Sequence, residues 1–214
     1  MRIAAILLTL ALLAACSGNK QAETTEKQAQ DAKLAQQKAG EPKAPELSTG
    51  REAFQRMYVA ARGWAPDARP YRLQSEVTPD ANGQNGRATL WRGYFASPSR
   101  RAIKTFAWSG GGSPDSRGIS STSEDTYNPA NAATQTFDIA FLKVDSDKAV
   151  EAANRERGAK LLKTNPDQPI TYALDWNGRE SALLWHVIYG ENRNEAKLTV
   201  AVNASTGQYM RVEK

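Results

Sequence analysis

The chain has 214 residues, with 28 Lys and Arg against 23 Asp and Glu, one His and one Cys. A single Cys excludes an intramolecular disulfide, and one His beside one Cys excludes a typical zinc site, so no metal or cofactor is expected. The net charge of +5 is spread without a basic run or a recognisable motif, which argues against nucleic-acid binding.

Residues 3–13 follow Arg2 and are apolar apart from Thr9. The run is about half the length a helix needs to cross a bilayer, and it has the charged start and apolar middle of a secretory signal. Ala14 and Ala15 are small enough for the groove of a signal peptidase, and Cys16 follows them directly. Leu13-Ala14-Ala15-Cys16 resembles the lipobox of bacterial lipoproteins. The resemblance implies a signal peptide over residues 1–15, cleavage before Cys16, and acylation of its sulfur. The membrane is then the first expected partner. A single acyl chain holds a protein weakly, at roughly 0.8 kcal/mol per buried methylene, whereas two or more anchor it stably. Ser17 stands where Asp would retain a lipoprotein at the inner membrane of enteric bacteria, so the implied destination is the periplasmic face of the outer membrane.

Residues 16–50 read as a lipid-anchored, disordered linker without aromatic residues, in which Lys20, Lys27, Lys33, Lys38 and Lys43 balance Glu23, Glu26, Asp31, Glu41 and Glu46. Such a composition buries too little apolar surface to offset the entropy of ordering. Thr49-Gly50-Arg51-Glu52 is a capping box, and Ala53, Phe54, Met57, Tyr58 and Ala61 then share one helical face, with Gly63 placed to end the helix. Strands are expected around 71–77, 88–96 and 102–108, with turn material at 80–86 and Pro98-Ser99. Residues 111–135 form a long polar loop. A strand over 137–144 follows, then a helix capped by Asp145 or Ser146 that ends near Gly158, with Leu161 and Leu162 in a further turn. Strands near 170–175, 182–189 and 196–202, a turn over 203–207 with Gly207 at positive φ, and a closing strand over 209–212 complete the chain.

The two halves match in order. Each has a capped helix, a Gly, a Pro-Asp pair (66–67 and 166–167), a strand carrying Trp (Trp91 and Trp185) and a partner strand. This predicts an α+β fold of two tandem modules, each a helix packed on an antiparallel sheet, over 51–110 and 136–214. Trp185-His186-Val187 and the later Val200-Ala201-Val202-Asn203-Ala204-Ser205-Thr206-Gly207 resemble the PepSY-like family, with Asn203 where that family usually has Asp. The resemblance implies a noncatalytic extracytoplasmic role, sometimes proposed to restrain peptidases.

His186 is the only histidine, and Arg92 is its counterpart in the first half, so the pair marks a surface or groove site on the sheet. Trp64, Trp108 and Trp176 lie near element ends, where they would line a groove for peptide or glycan. The hydroxyl run Ser120-Ser121-Thr122-Ser123 has no nucleophile elbow or evident base, and Gly110-Gly111-Gly112 has no following Lys. Asp115, Glu124 and Asp125 lack the spacing of a calcium loop. The expected function is therefore a lipid-anchored envelope module that binds a protein or peptide and is not an enzyme. Alternatives are an envelope enzyme using His186, or a structural lipoprotein touching lipid or cell wall through Arg100, Arg101 and Lys104.

Overall fold

The computed structural model describes residues 44–111 and 116–214. The leader, Cys16 and the linker up to residue 43 lie outside the described residues, as do Gly112 and Asp115.

A two-residue strand, β1 (Ser48–Thr49), leads into helix α1 (Gly50–Trp64). Both halves of the capping box form: the Thr49 hydroxyl accepts from the Glu52 amide, and the Glu52 carboxylate accepts from the Thr49 amide at 3.0 Å. Ala53, Phe54, Met57 and Ala61 face the core. Gly63 does not end the helix. Ala65 does, with extended backbone and its N–H on the Ala61 carbonyl, because Pro66 bars the residue before it from the helical region.

Then come β2 (Arg69–Ser75), β3 (Arg87–Ala88), β4 (Leu90–Ser97) and β5 (Ala102–Ser109). The expected long polar loop is partly strand: β6 (Gly118–Ser121) and β7 (Asp125–Thr126) both pair with β5 and satisfy backbone groups that would otherwise be left at its edge. The expected strand over 137–144 does not form. Asp138 accepts from the Ala140 amide and starts a 3₁₀ turn, Ile139–Phe141, while Phe137 and Leu142 drop into the core.

Asp145 caps α2 (Ser146–Ala153), which runs through a π-helical turn (Asn154–Gly158) into α3 (Ala159–Thr164). Gly158 thus sits inside the helix rather than at its end. A Cβ there would overlap the Tyr189 hydroxyl, which donates to Asn154 Oδ1 at 2.7 Å. The remaining strands are β8 (Ile170–Asn177), β9 (Ala182–Tyr189), β10 (Leu198–Asn203) and β11 (Tyr209–Val212), with Gly207 at φ 75° in the last turn.

Among the described residues, nine strands form one antiparallel sheet in the order β11-β10-β9-β8-β2-β4-β5-β6, with β7 also on β5. At its centre β2 and β8 run antiparallel, pairing Leu73 with Leu174 and Gln74 with Ala173. An approximate two-fold axis through the Gln74–Ala173 pair exchanges β2-β4-β5 with β8-β9-β10. The helices pack on one face, and a single apolar core runs through both halves. Trp91, Tyr172 and Trp185 meet at its middle, with ring centroids 6.0 to 6.5 Å apart. Trp91 Nε1 donates to the Ser48 carbonyl at 3.0 Å and Trp185 Nε1 to that of Val144 at 2.9 Å. Each carbonyl belongs to the residue just before a helix cap.

Two glycines of α1 make the packing testable. A Cβ at Gly50 would come within 2.5 Å of the Trp185 ring, whereas one at Gly63 meets nothing within 4 Å. Gly50→Ala is expected to destabilise by about 1–3 kcal/mol through overpacking, despite the better helix propensity of Ala. Gly63→Ala is expected to stabilise by about 0.5 kcal/mol. Urea unfolding of the two variants should therefore shift in opposite directions.

Candidate functional site

The face of the sheet opposite the helices carries the polar chemistry. Strand register lines up Ala107, Arg92, Gln74, Ala173, His186, Ala201 and Arg211 as one row running across it. The middle of the row is small or neutral, and its cations stand on either side. Arg92 forms a two-point pair with Glu76 on the first-half side.

On the second-half side, His186 is only 4% exposed and lies between two carboxylates. Its Nδ1 is 2.6 Å from Glu213 Oε2 and its Nε2 is 3.1 Å from Asp175 Oδ1. A neutral imidazole has one N–H and one lone pair, so only the imidazolium donates to both. Burial alone would lower the His186 pKa, but the hydrogen bonds it donates to Asp175 and Glu213 outweigh it and the pKa is raised above 6.5. Burial would likewise raise both carboxyls, and their bonds to His186 reverse that, so both titrate below their ordinary values. Asp175 is also 3.3 Å from Arg193 Nη2 and 3.8 Å from Arg72 Nε. Glu213 accepts from Arg211 at 2.7 Å, and Arg211 pairs in turn with Glu180. The result is an unbroken ionic chain, Glu180–Arg211–Glu213–His186–Asp175 with Arg193 and Arg72, laid over the buried Ala173, Leu184 and Ala201.

Beside this chain a groove of about 420 Å³ follows β2, β8 and β9, with Gln74 and Ala173 on its floor and Arg72, Glu76 and Arg193 among its walls. Beyond the chain lies β11. Among the described residues nothing pairs with its outer edge, and Tyr209, Met210 and Val212 are 37%, 36% and 38% exposed.

The structure brings Arg92 and His186 to the same face but leaves Gln74 and Ala173 between them. His186 is buried with both nitrogens occupied, so it is not an open surface site and makes its contacts within its own chain. The three tryptophans do not join it. Trp64 donates to Glu124 at 2.7 Å with Arg100 over its ring, Trp108 is buried beneath Arg56, and Trp176 packs on Phe141 at 5.2 Å. Asp175, Glu213, Arg193 and Arg211 carry no sequence motif. The only signal for Asp175 was the alternation of the 170–189 hairpin, which sets it and His186 on one face of neighbouring strands. No group of three or more candidate metal-ligating residues occurs among the described residues.

A solved structure described as a "putative lipoprotein", from Clostridium difficile 630, is similar in fold. Its TM-score is 0.52 at 11% identity, covering 75% of this chain and 91% of that one. No family model matches the chain, and no curated protein matches it. No helix among the described residues is long and apolar enough to cross a membrane.

Replacing His186 by Leu keeps the bulk and leaves Asp175 and Glu213 facing each other without a cation. Removing one partner from a buried ionic cluster costs about 3–5 kcal/mol, and the partly exposed carboxylates reduce this to about 2–4 kcal/mol. Urea denaturation of His186→Leu at pH 6 measures it.

Proposed function

We propose that the chain is a lipid-anchored protein of the bacterial cell envelope, on the periplasmic face of the outer membrane, that holds a protein or peptide partner by strand addition and performs no catalysis. Its two halves are PepSY-like units fused edge to edge into one sheet. Support for the anchor comes from Leu13-Ala14-Ala15-Cys16, and the fold is shared with a protein described as a "putative lipoprotein". The linker lifts the sheet off the lipid surface, and it ends before residue 50, because Ser48, Thr49 and Gly50 are buried in β1 and the start of α1.

The observation that carries the binding reading is the open edge of β11, with its exposed Tyr209, Met210 and Val212. An extended peptide laid along such an edge gains main-chain hydrogen bonds, and exposed side chains select its sequence. Catalysis through His186 has no support in the geometry, since both of its nitrogens are taken. Direct lipid or wall contact through Arg100, Arg101 and Lys104 loses two of its three cations to other contacts, because Arg100 is paired with Glu124 and Lys104 lies over Phe106.

Two experiments test this reading. Metabolic labelling with palmitate is expected to mark the wild type and leave Cys16→Ala unmarked and released from the membrane fraction. Labelling that is equal in both, or absent from both, overturns the anchor. The Glu213 amide already bonds the Thr199 carbonyl, so strand alternation turns the Val212 amide to the open side. Val212→Pro removes that outward donor and spares the ladder. Peptides selected from a displayed random library on the wild type should bind Val212→Pro at least about tenfold more weakly, the worth of roughly 1.4 kcal/mol. Unchanged binding would place the contact elsewhere.

A further inference from the structure

We propose that the contact between His186 and Glu213 is a proton-operated clamp on β11: the imidazolium holds the edge strand to the sheet, and loss of its proton frees that strand. The clamp stands on its own geometry. Its consequence for partner capture rests on the strand-addition reading above.

The reach of the side chains sets up the clamp. His186 is on β9, and the residues in line with it are Ala201 on β10 and Arg211 on β11. Ala201 is fully buried and carries only a methyl group, so the imidazole passes over it and meets Glu213 just beyond β11. The Glu213 backbone is meanwhile bonded to Thr199 of β10 at 2.8 Å. One residue therefore ties the edge strand to both of the strands inside it. From the far side, Asp175 of β8 grips the other imidazole nitrogen and is itself held by Arg193 of the 190–197 loop and Arg72 of β2. The remaining charges of the ionic chain are Arg211 on β11 and Glu180 in the β8–β9 turn. Lys214 adds a further tie, its ammonium Nζ donating to the Asn194 carbonyl at 2.8 Å.

When His186 loses its proton, one ring nitrogen turns a lone pair toward a carboxylate oxygen at hydrogen-bond distance. Of the two carboxylates Glu213 is the one free to move, since it follows a four-residue edge strand, whereas Asp175 is fixed in the middle of the sheet and keeps its two arginines. The sign follows from the shifts. A histidine whose folded pKa is raised stabilises fully below 6.5, and that stability is lost as pH rises through the folded value. The two carboxylates, held below 3.8 and 4.5, contribute above those values and are lost only in strong acid. The clamp is thus closed in mild acid and opens on the alkaline side. Since His186 is the only histidine, no other imidazole obscures the titration.

The test is hydrogen exchange of the full chain between pH 6 and 9, corrected for intrinsic rates, together with an NMR titration of the His186 ring. The ring is expected to titrate above 6.5. Protection over residues 209–213 should then fall by up to about tenfold per pH unit above that point, while β8 and β9 stay protected. His186→Gln, which cannot titrate, should give a flat profile. Glu213→Gln, whose amide holds no charge for the imidazolium, should lower protection at pH 6 and flatten the profile as well. A wild-type profile that stays flat, a ring pKa at or below 6.5, or a pH dependence that survives in both variants overturns the clamp. The exchange readout involves no partner. If the clamp fails while Val212→Pro still loses peptide binding, strand addition stands. If Val212→Pro binds normally while the profiles behave as stated, the clamp stands alone.

Discussion

Two helix beginnings point at each other in the middle of this protein, and one carboxylate serves both. Each helix N-terminus carries free amides and about half a positive charge, so bringing two together is unfavourable unless an anion lies between them. Asp145 supplies it. Its Oδ1 accepts from the Ser146 amide at 2.7 Å and the Arg51 amide at 2.9 Å, while its Oδ2 accepts from the Thr49 hydroxyl at 2.7 Å. The Ser146 hydroxyl completes the junction, accepting from the Gly50 amide at 2.8 Å and donating to the Gly86 carbonyl at 2.6 Å. These bonds cross between the halves, and with them the halves share one set of caps as well as one sheet.

The rest of the core follows from that junction. The carbonyl before each cap receives an indole N–H, so both tryptophans are drawn under the helix starts and come edge to face at the centre. A side chain at position 50 would then have no room. In the second half, Ser146 occupies the matching first helical position and uses its hydroxyl as the link. The same pull fixes the centre of the sheet: Leu73 and Leu174 pair across β2 and β8 directly beneath, fully buried.

Local signals in the sequence revealed most of these parts. The capping box, the alternating strands about Trp91 and Trp185, and the Gly207 turn each depend on residues within a few positions of one another, and each formed as read. What could not be read depended on distant partners. The π-helical turn exists because Tyr189, 35 residues away, needs the space at Gly158 and the Asn154 oxygen. Nothing local says that β2 and β8 should pair, although their hydrogen bonds turn two matching halves into one sheet. The candidate site shows the same divide. His186 stood out because it is unique, but its carboxylates lie 11 and 27 residues away on other elements and look in sequence like ordinary surface acids.

The match between the halves is uneven on both faces of the sheet. On the helix side Trp91 corresponds to Trp185, but Phe106 and Trp108 correspond to Val200 and Val202. On the open side Thr105 and Ala107 correspond to Thr199 and Ala201, and it is the charged position on β4 and β9 that differs. The position of Arg92, paired with Glu76, corresponds to that of His186 between two carboxylates. Those solutions differ in kind: a guanidinium keeps its charge at any pH a cell meets, whereas an imidazole in the same place does not. Two strands outward from Arg92 the row ends at Ser120 of β6, which has no charge to hold, but two strands outward from His186 it reaches Arg211 of β11, two residues before Glu213. A sheet whose strands correspond in order and register on either side of β2 and β8 therefore has a permanent ion pair toward one edge and a conditional one toward the other, and the conditional one lies against the strand with the exposed apolar side chains.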